Sequence, residues 1–169
     1  MTNLAIALIL IISVITDLRT RKILNIITFP AILIALIYHS FTSGFGGLLF
    51  SSLGFLVGLG LLLIPFVMGG IGAGDVKLLA AVGAWKGTLF VLYTGVYGAV
   101  IGGLISLYIL LRNKQLGHTL KQLLFSIRFF RVTKGSSFVG DDMQKSIYIP
   151  YAIPIAVGAL LAYLMEAYV

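Results

Sequence analysis

The residues best suited to chemistry in this 169-residue chain are two aspartates, Asp17 and Asp75. Only five acidic residues occur in the sequence, and these two lie where long apolar segments end or begin. A carboxylate at the edge of an apolar helix is costly, which makes it a functional hypothesis by default. Two carboxylates that share a site hold one proton between them, so one can activate water while the other donates to a carbonyl oxygen. This pairing predicts hydrolysis of a peptide bond, and the sequence assigns neither aspartate to either role.

Asp75 ends the glycine-rich run GGIGAGD. Glycine lacks a Cβ atom, so the backbone of this run can bend and let an extended substrate approach. Its four glycines, Gly69, Gly70, Gly72 and Gly74, would give such a substrate access to Asp75. The structural alternative is a flexible turn into a helix, with Asp75 as its N-cap. For Asp17 the structural alternative is a boundary carboxylate paired with one of the basic residues Arg19, Arg21 and Lys22.

Other catalytic chemistries lack the side chains that they need. The chain has no cysteine, which excludes disulfides, thiolate metal sites and cysteine nucleophiles. Its two histidines, His39 and His118, fall in a predicted outside turn and a predicted cytoplasmic segment, where no nucleophile could use them as a base. No H-E-x-x-H or comparable ligand cluster occurs. No metal or cofactor is expected.

The elements that must position the aspartates are apolar helices. Hydrophobic residues make up 60% of the chain and charged residues 10%, against about 25% charged residues in a soluble domain. The predicted fold is therefore an all-α polytopic membrane protein with six transmembrane helices, in one domain over residues 1–169. The six apolar segments run approximately Asn3–Thr16, Ile26–Phe41, Gly47–Met68, Val76–Trp85, Thr88–Leu111 and Ile147–Ala167.

The first and fourth segments are too short to span, so helix 1 must extend past Asp17 or start at the N-terminus, and helix 4 must recruit residues before Val76. When the gaps between segments are assigned alternately to two sides, eleven of the twelve Lys and Arg residues fall on one side and only Lys86 on the other. That side is predicted to be cytoplasmic. Both termini then lie outside. Asp17 and Asp75 lie together at the cytoplasmic face, because two intervening helices return the chain.

A basic segment at about 112–146 separates the fifth and sixth predicted helices. Its leucine and isoleucine residues recur at helical spacing, which predicts an amphipathic helix on the anionic inner leaflet of the lipid bilayer. The formal net charge of +7 is attributed to basic residues on one side of the membrane and not to nucleic-acid binding. No nucleic-acid partner is expected.

Three stretches of the chain resemble the prepilin peptidases, membrane aspartic proteases that process type IV pilin-like precursors and archaeal preflagellins. DLRTRKILN, from Asp17 to Asn25, is similar to the family's D-x-R-x-R-x-I-x-N. Residues Gly72 to Leu78 are similar to its G-x-G-D-x-K-L motif. A softer element, IPYAIPIAVGA from Ile149 to Ala159, resembles the family's last helix. The resemblance covers most of the chain.

The resemblance implies that Asp17 and Asp75 are the catalytic pair, and that Gly72, Gly74 and Lys77 belong to the substrate-binding region. The implied reaction removes a short basic leader from a pilin-like precursor, just before a hydrophobic helix, at the cytoplasmic face. Larger bacterial members also carry a cysteine-containing domain and methylate the new N-terminus. This chain has neither that domain nor a cysteine, so a short-form peptidase without methyltransferase activity is expected, similar to those serving Flp-type pili or to archaeal enzymes.

The main alternative function is a small proton-coupled membrane transporter that uses Asp17 and Asp75 as carriers. Transporters place such carboxylates near the membrane midplane, often between repeated halves. Here both lie at one face, and the sequence shows no internal repeat. A second alternative is an assembly factor without any chemistry of its own.

Overall fold

The computed structural model describes residues 2–68, 70–112 and 151–168, most of which lie in α-helices. The helices are α1 (Thr2–Thr20), α2 (Asn25–Val67), α3 (Ala73–Arg112) and α4 (Ala152–Tyr168). The all-α prediction is confirmed for this part of the chain. The chain divides into two compact units, residues 1–102 with 150–169, and residues 103–149, of which only the end of α3 is described. The predicted amphipathic helix lies outside the described residues.

α1 carries Asp17 near its C-terminal end, as the predicted extension of helix 1 requires, and continues to Thr20. Arg21 then adopts a left-handed conformation with φ of 54°. Its N–H donates to the carbonyl oxygen of Asp17 at 2.8 Å, an arrangement that closes the last turn of a helix. Leu24 is extended, and α2 begins at the next residue. The short connection keeps the start of α2 close to the end of α1.

α2 and α3 each reverse direction at one glycine. Gly44 and Gly87 have φ of 59° and 82°, in the left-handed region that glycine adopts without a steric penalty. Gly47 packs against the backbone of His39 across the first reversal, and Gly83 packs against Val91 across the second. Each helix is therefore a hairpin of two antiparallel segments. The reversals lie in the gaps between predicted segments two and three, and four and five; six membrane crossings stay a prediction.

The core lies where the two hairpins meet. Gly54 packs on the backbone of Gly83, and Gly58 packs on the backbone of Leu79 and Ala80. Glycines at these positions let the helix backbones approach closely. The first segment of α3 is almost completely enclosed as a result, and Leu79 is 0% exposed. Asp75 is thus carried on the most deeply packed helix segment of the described residues.

The outer surface is apolar. α1 exposes a row of large side chains at alternating spacings of four and three residues, namely Leu4, Leu8, Ile11, Ile15 and Leu18. Among the described helices, α1, α2 and α3 as far as Ile109 are long and apolar enough to cross a membrane, and α4 is a shorter apolar helix. A surface of this kind is suited to lipid and poorly suited to water.

Candidate active site

Asp17 is buried between α1 and α4. It is 1% exposed, and its Oδ2 accepts a hydrogen bond from the backbone N–H of Ala152 at 3.3 Å. Ala152 is the first residue of α4. At the other end of the same antiparallel pair, the side-chain amide of Asn3 donates to the hydroxyl of Tyr163 at 3.2 Å. The packing of α1 along α4 therefore places Asp17 at the N-terminus of α4.

Asp75 is buried at the start of α3, where it is 6% exposed. It is the third residue of the helix. Its Oδ2 accepts from the N–H of Gly72 at 3.3 Å, and its own N–H donates to the carbonyl oxygen of Gly72 at 3.2 Å. This reciprocal pair resembles a capping box. Asp75 thus stabilises the turn into its helix, but from the third helical position and not as the N-cap of the structural alternative.

The structure brings the two aspartates together. The carboxylates of Asp17 and Asp75 interact electrostatically, although they belong to helices separated by the whole α2 hairpin. Tyr151, which immediately precedes α4, also interacts electrostatically with Asp75. Its neighbour Ala152 contacts Asp17. Two buried carboxylates and the start of α4 therefore form one cluster.

Gly74 lies against the connection that follows α1. A Cβ atom added to Gly74 would lie 2.8 Å from the Cβ of Ile23, in the connection between α1 and α2. A Cβ added to Gly72 would lie 3.1 Å from Oδ2 of Asp75. Both glycines therefore lie at the carboxylate cluster. Their predicted contact with substrate stays a prediction.

Lys77 bridges α3 to the start of α2. Its ammonium group donates to Oδ1 of Asn25 at 2.9 Å and lies 5.3 Å from the centre of the Phe29 ring. Asn25 ends the first family-like motif and Lys77 lies in the second, so this contact joins the two motifs directly. The role of Lys77 in substrate binding stays a prediction.

Sequence reasoning missed the contribution of Tyr151 and Ala152. The IPYAIP stretch was singled out by resemblance alone, and a backbone N–H such as that of Ala152 leaves no signal in a side-chain pattern. It also missed the ion pair between Lys86 and Glu166, which joins the turn of the α3 hairpin to the C-terminal end of α4. In residues 2–68, 70–112 and 151–168, no group of three or more His, Cys, Asp or Glu side chains could hold a metal ion.

The family model of the type IV leader peptidase family matches residues 4–107, more than half of the chain. The chain belongs to this family. The resemblance noted from the motifs is thereby confirmed. Membership indicates a leader peptidase that acts on precursor proteins, and together with the long apolar helices it indicates a membrane protein. No curated protein and no solved structure matches the chain.

The matched region contains Asp17, Asp75, Gly72, Gly74 and Lys77, but it ends before α4. The contacts that α4 makes with the carboxylate cluster are therefore features of the structure that the family match does not cover.

Proposed function

We propose that this leader peptidase is an aspartic endopeptidase whose catalytic pair is Asp17 and Asp75. The observation that carries the proposal is the electrostatic interaction between these two carboxylates, each buried and each supplied by a different helix. Burying two negative charges side by side is far more costly than burying one charge with one proton. A pair that shares a proton contains both a general base and a general acid, which peptide hydrolysis requires.

The chemistry runs through water and needs no covalent intermediate. The ionised carboxylate takes a proton from a water molecule as the water oxygen attacks the scissile carbonyl carbon. The protonated carboxyl group donates to the carbonyl oxygen and stabilises the negative charge that develops there. Collapse of the tetrahedral intermediate breaks the C–N bond, and the leaving nitrogen takes up a proton from the pair. The pair then again holds one proton.

The proposed substrate is a type IV pilin-like precursor, of the Flp-type or archaeal flagellin-like kind, whose short basic leader is removed. Cleavage is proposed at the cytoplasmic membrane face of a six-span protein with both termini outside. The α2 hairpin supports this topology, because the chain leaves Asp17, reverses at Gly44 and returns to Asp75. The protein is proposed to lie in a lipid bilayer and to interact with its anionic inner leaflet.

The test is cleavage of a precursor from the same genome by purified protein in detergent or liposomes. Wild type is compared with Asp17→Asn and Asp75→Asn, which keep side-chain size but cannot ionise, after equal folding has been checked by thermal unfolding. We expect wild type to release the leader, with the new N-terminus identified by mass spectrometry, and both variants to lose cleavage. Normal cleavage by either folded variant would show that the two-aspartate mechanism is wrong.

The transporter alternative gains no support from the family comparison. It is tested on the same samples by measuring proton flux into liposomes. Proton flux that depends on both aspartates, together with no cleavage of any precursor, would replace the proposed function with transport.

A further inference from the structure

We propose that the first turn of α4 positions the catalytic pair, through the backbone N–H of Ala152 and the ring of Tyr151. This inference rests on the proposed function, and it assigns a role to a part of the chain beyond the family match at residues 4–107. Four observations on the described residues carry it.

The first observation is the donor itself. Ala152 is the first residue of α4, so its N–H has no partner within the helix. It is 0% exposed, and its N–H donates to Oδ2 of Asp17. A helix N-terminus carries partial positive charge and favours a negative group beside it. The contact therefore holds one oxygen of Asp17 in place and orients that carboxylate in the site.

The second observation is the position of Tyr151. Its carbonyl oxygen accepts the N–H of Ile155 at 3.3 Å, the first hydrogen bond of α4, so Tyr151 is the N-cap. A Cβ atom added to Gly102 would lie 2.9 Å from the ring and hydroxyl atoms of Tyr151. The ring therefore packs against a position of α3 where only glycine leaves room. This packing fixes the turn that presents Ala152.

The third observation is the way α4 rests on α3. A Cβ added to Gly98 would lie 3.3 Å from the carbonyl oxygen of Pro154, and one added to Gly158 would lie 2.6 Å from the carbonyl oxygen of Thr94. The two backbones are thus in close contact over successive turns. Because α3 also carries Asp75, the contact sets the start of α4 relative to both carboxylates.

The fourth observation is that residues 151 and 152 each interact with one of the two aspartates. Ala152 binds Asp17, and Tyr151 interacts electrostatically with Asp75. The start of α4 is therefore a third element of the site, beside the C-terminal end of α1 and the N-terminal end of α3.

The sharpest test removes the single N–H. Proline is well accommodated at the first position of a helix, where its fixed φ suits the helix. The residue before it must be extended, as N-cap residues usually are. Ala152→Pro therefore deletes the donor while keeping the helix start, and Ala152→Gly serves as the matched comparison, because it changes the side chain and keeps the N–H.

We expect kcat of Ala152→Pro to fall roughly 10- to 100-fold below that of Ala152→Gly, as for the loss of one hydrogen bond to a charged group. KM should be equal in the two variants, because the leader does not bind this buried N–H, and thermal unfolding is used only to show that both variants are folded. Equal kcat values in two folded variants would overturn the inference, and so would a change confined to KM.

A second pair of variants decides the question if Ala152→Pro does not fold. Gly102→Ala places a methyl group against the ring of Tyr151, whereas Gly60→Ala adds one at a position with nothing within 4 Å. We expect only Gly102→Ala to lower kcat, and wild-type kcat in folded Gly102→Ala would overturn the inference. Failure of the proposed function looks different, because Asp17→Asn and Asp75→Asn would then keep their activity.

Discussion

Gly74→Ala is the substitution whose effect on the proposed active site can be worked out most directly. The added Cβ would lie 2.8 Å from the Cβ of Ile23, whereas ordinary contacts of this kind begin at 3.4 Å. Both atoms are attached directly to backbone, so no flexible side chain can move aside. The start of α3 and the connection after α1 must separate by roughly half an ångström or more. Asp17 and Asp75 lie on the two sides of this contact.

A displacement of about 1 Å at a catalytic group costs on the order of 100-fold in rate. We therefore expect Gly74→Ala to lower kcat for leader removal by roughly 10- to 100-fold, while the hydrophobic core away from the site keeps the protein folded. The assay is precursor cleavage by purified protein at saturating substrate. Gly60→Ala, with open space around the added atom, is the control and should cleave at the wild-type rate.

A compensating substitution at Ile23 tests this prediction more strictly. Ile23→Gly removes the Cβ that Gly74→Ala would meet, so the double variant should recover part of the kcat lost in Gly74→Ala. Wild-type kcat in Gly74→Ala would refute the reasoning that this contact sets the spacing of the carboxylates. A double variant as slow as Gly74→Ala would refute the steric explanation of the loss.

Three further predictions concern the contact between Lys77 and Asn25, the α3 hairpin and the membrane topology. Lys77→Met should lower the free energy of unfolding by about 1 kcal/mol through loss of its hydrogen bond to α2; an increase in KM at unchanged stability would instead support direct substrate binding. Gly87→Ala should destabilise the fold by at least about 1 kcal/mol in thermal unfolding, because of its positive φ and its contact with the Phe50 ring, and unchanged stability would contradict this. Because the chain has no cysteine, single Thr20→Cys and Ser43→Cys variants can be labelled with an impermeant maleimide; only Ser43→Cys should react in intact cells, and equal reaction of both would contradict the topology.

The apolar helices and the proximity of the two aspartates could be predicted from the sequence. The first depends on local hydrophobicity, and the second on counting how often the chain changes sides of the membrane. Segment lengths required helix 1 either to extend past Asp17 or to start at the N-terminus, and α1 runs from Thr2 to Thr20. The gaps between predicted apolar segments indicated where the chain turns. Gly44 and Gly87 lie in two of these gaps, and both have positive φ. Counting segments then placed Asp17 and Asp75 on one side, and the structure brings them together.

The remaining features of the site depend on contacts between distant residues, which a single sequence does not encode in any local pattern. Gly74 was predicted to admit another chain, and the chain that approaches it in the structure is the protein's own Ile23. The partner of Lys77 is Asn25, far away in sequence. The N–H of Ala152 could not be predicted, because a main-chain donor is the same whatever side chain it carries.

The single-turnover rate of precursor cleavage tests the central claim most directly, measured for wild type, Asp17→Asn, Asp75→Asn and the variant with both substitutions. Two residues that act as one catalytic unit lose nearly everything when either is removed, so their losses do not add. We predict that each single variant is as slow as the double variant. A single variant close to wild type, or losses that multiply in the double variant, would contradict a shared catalytic pair.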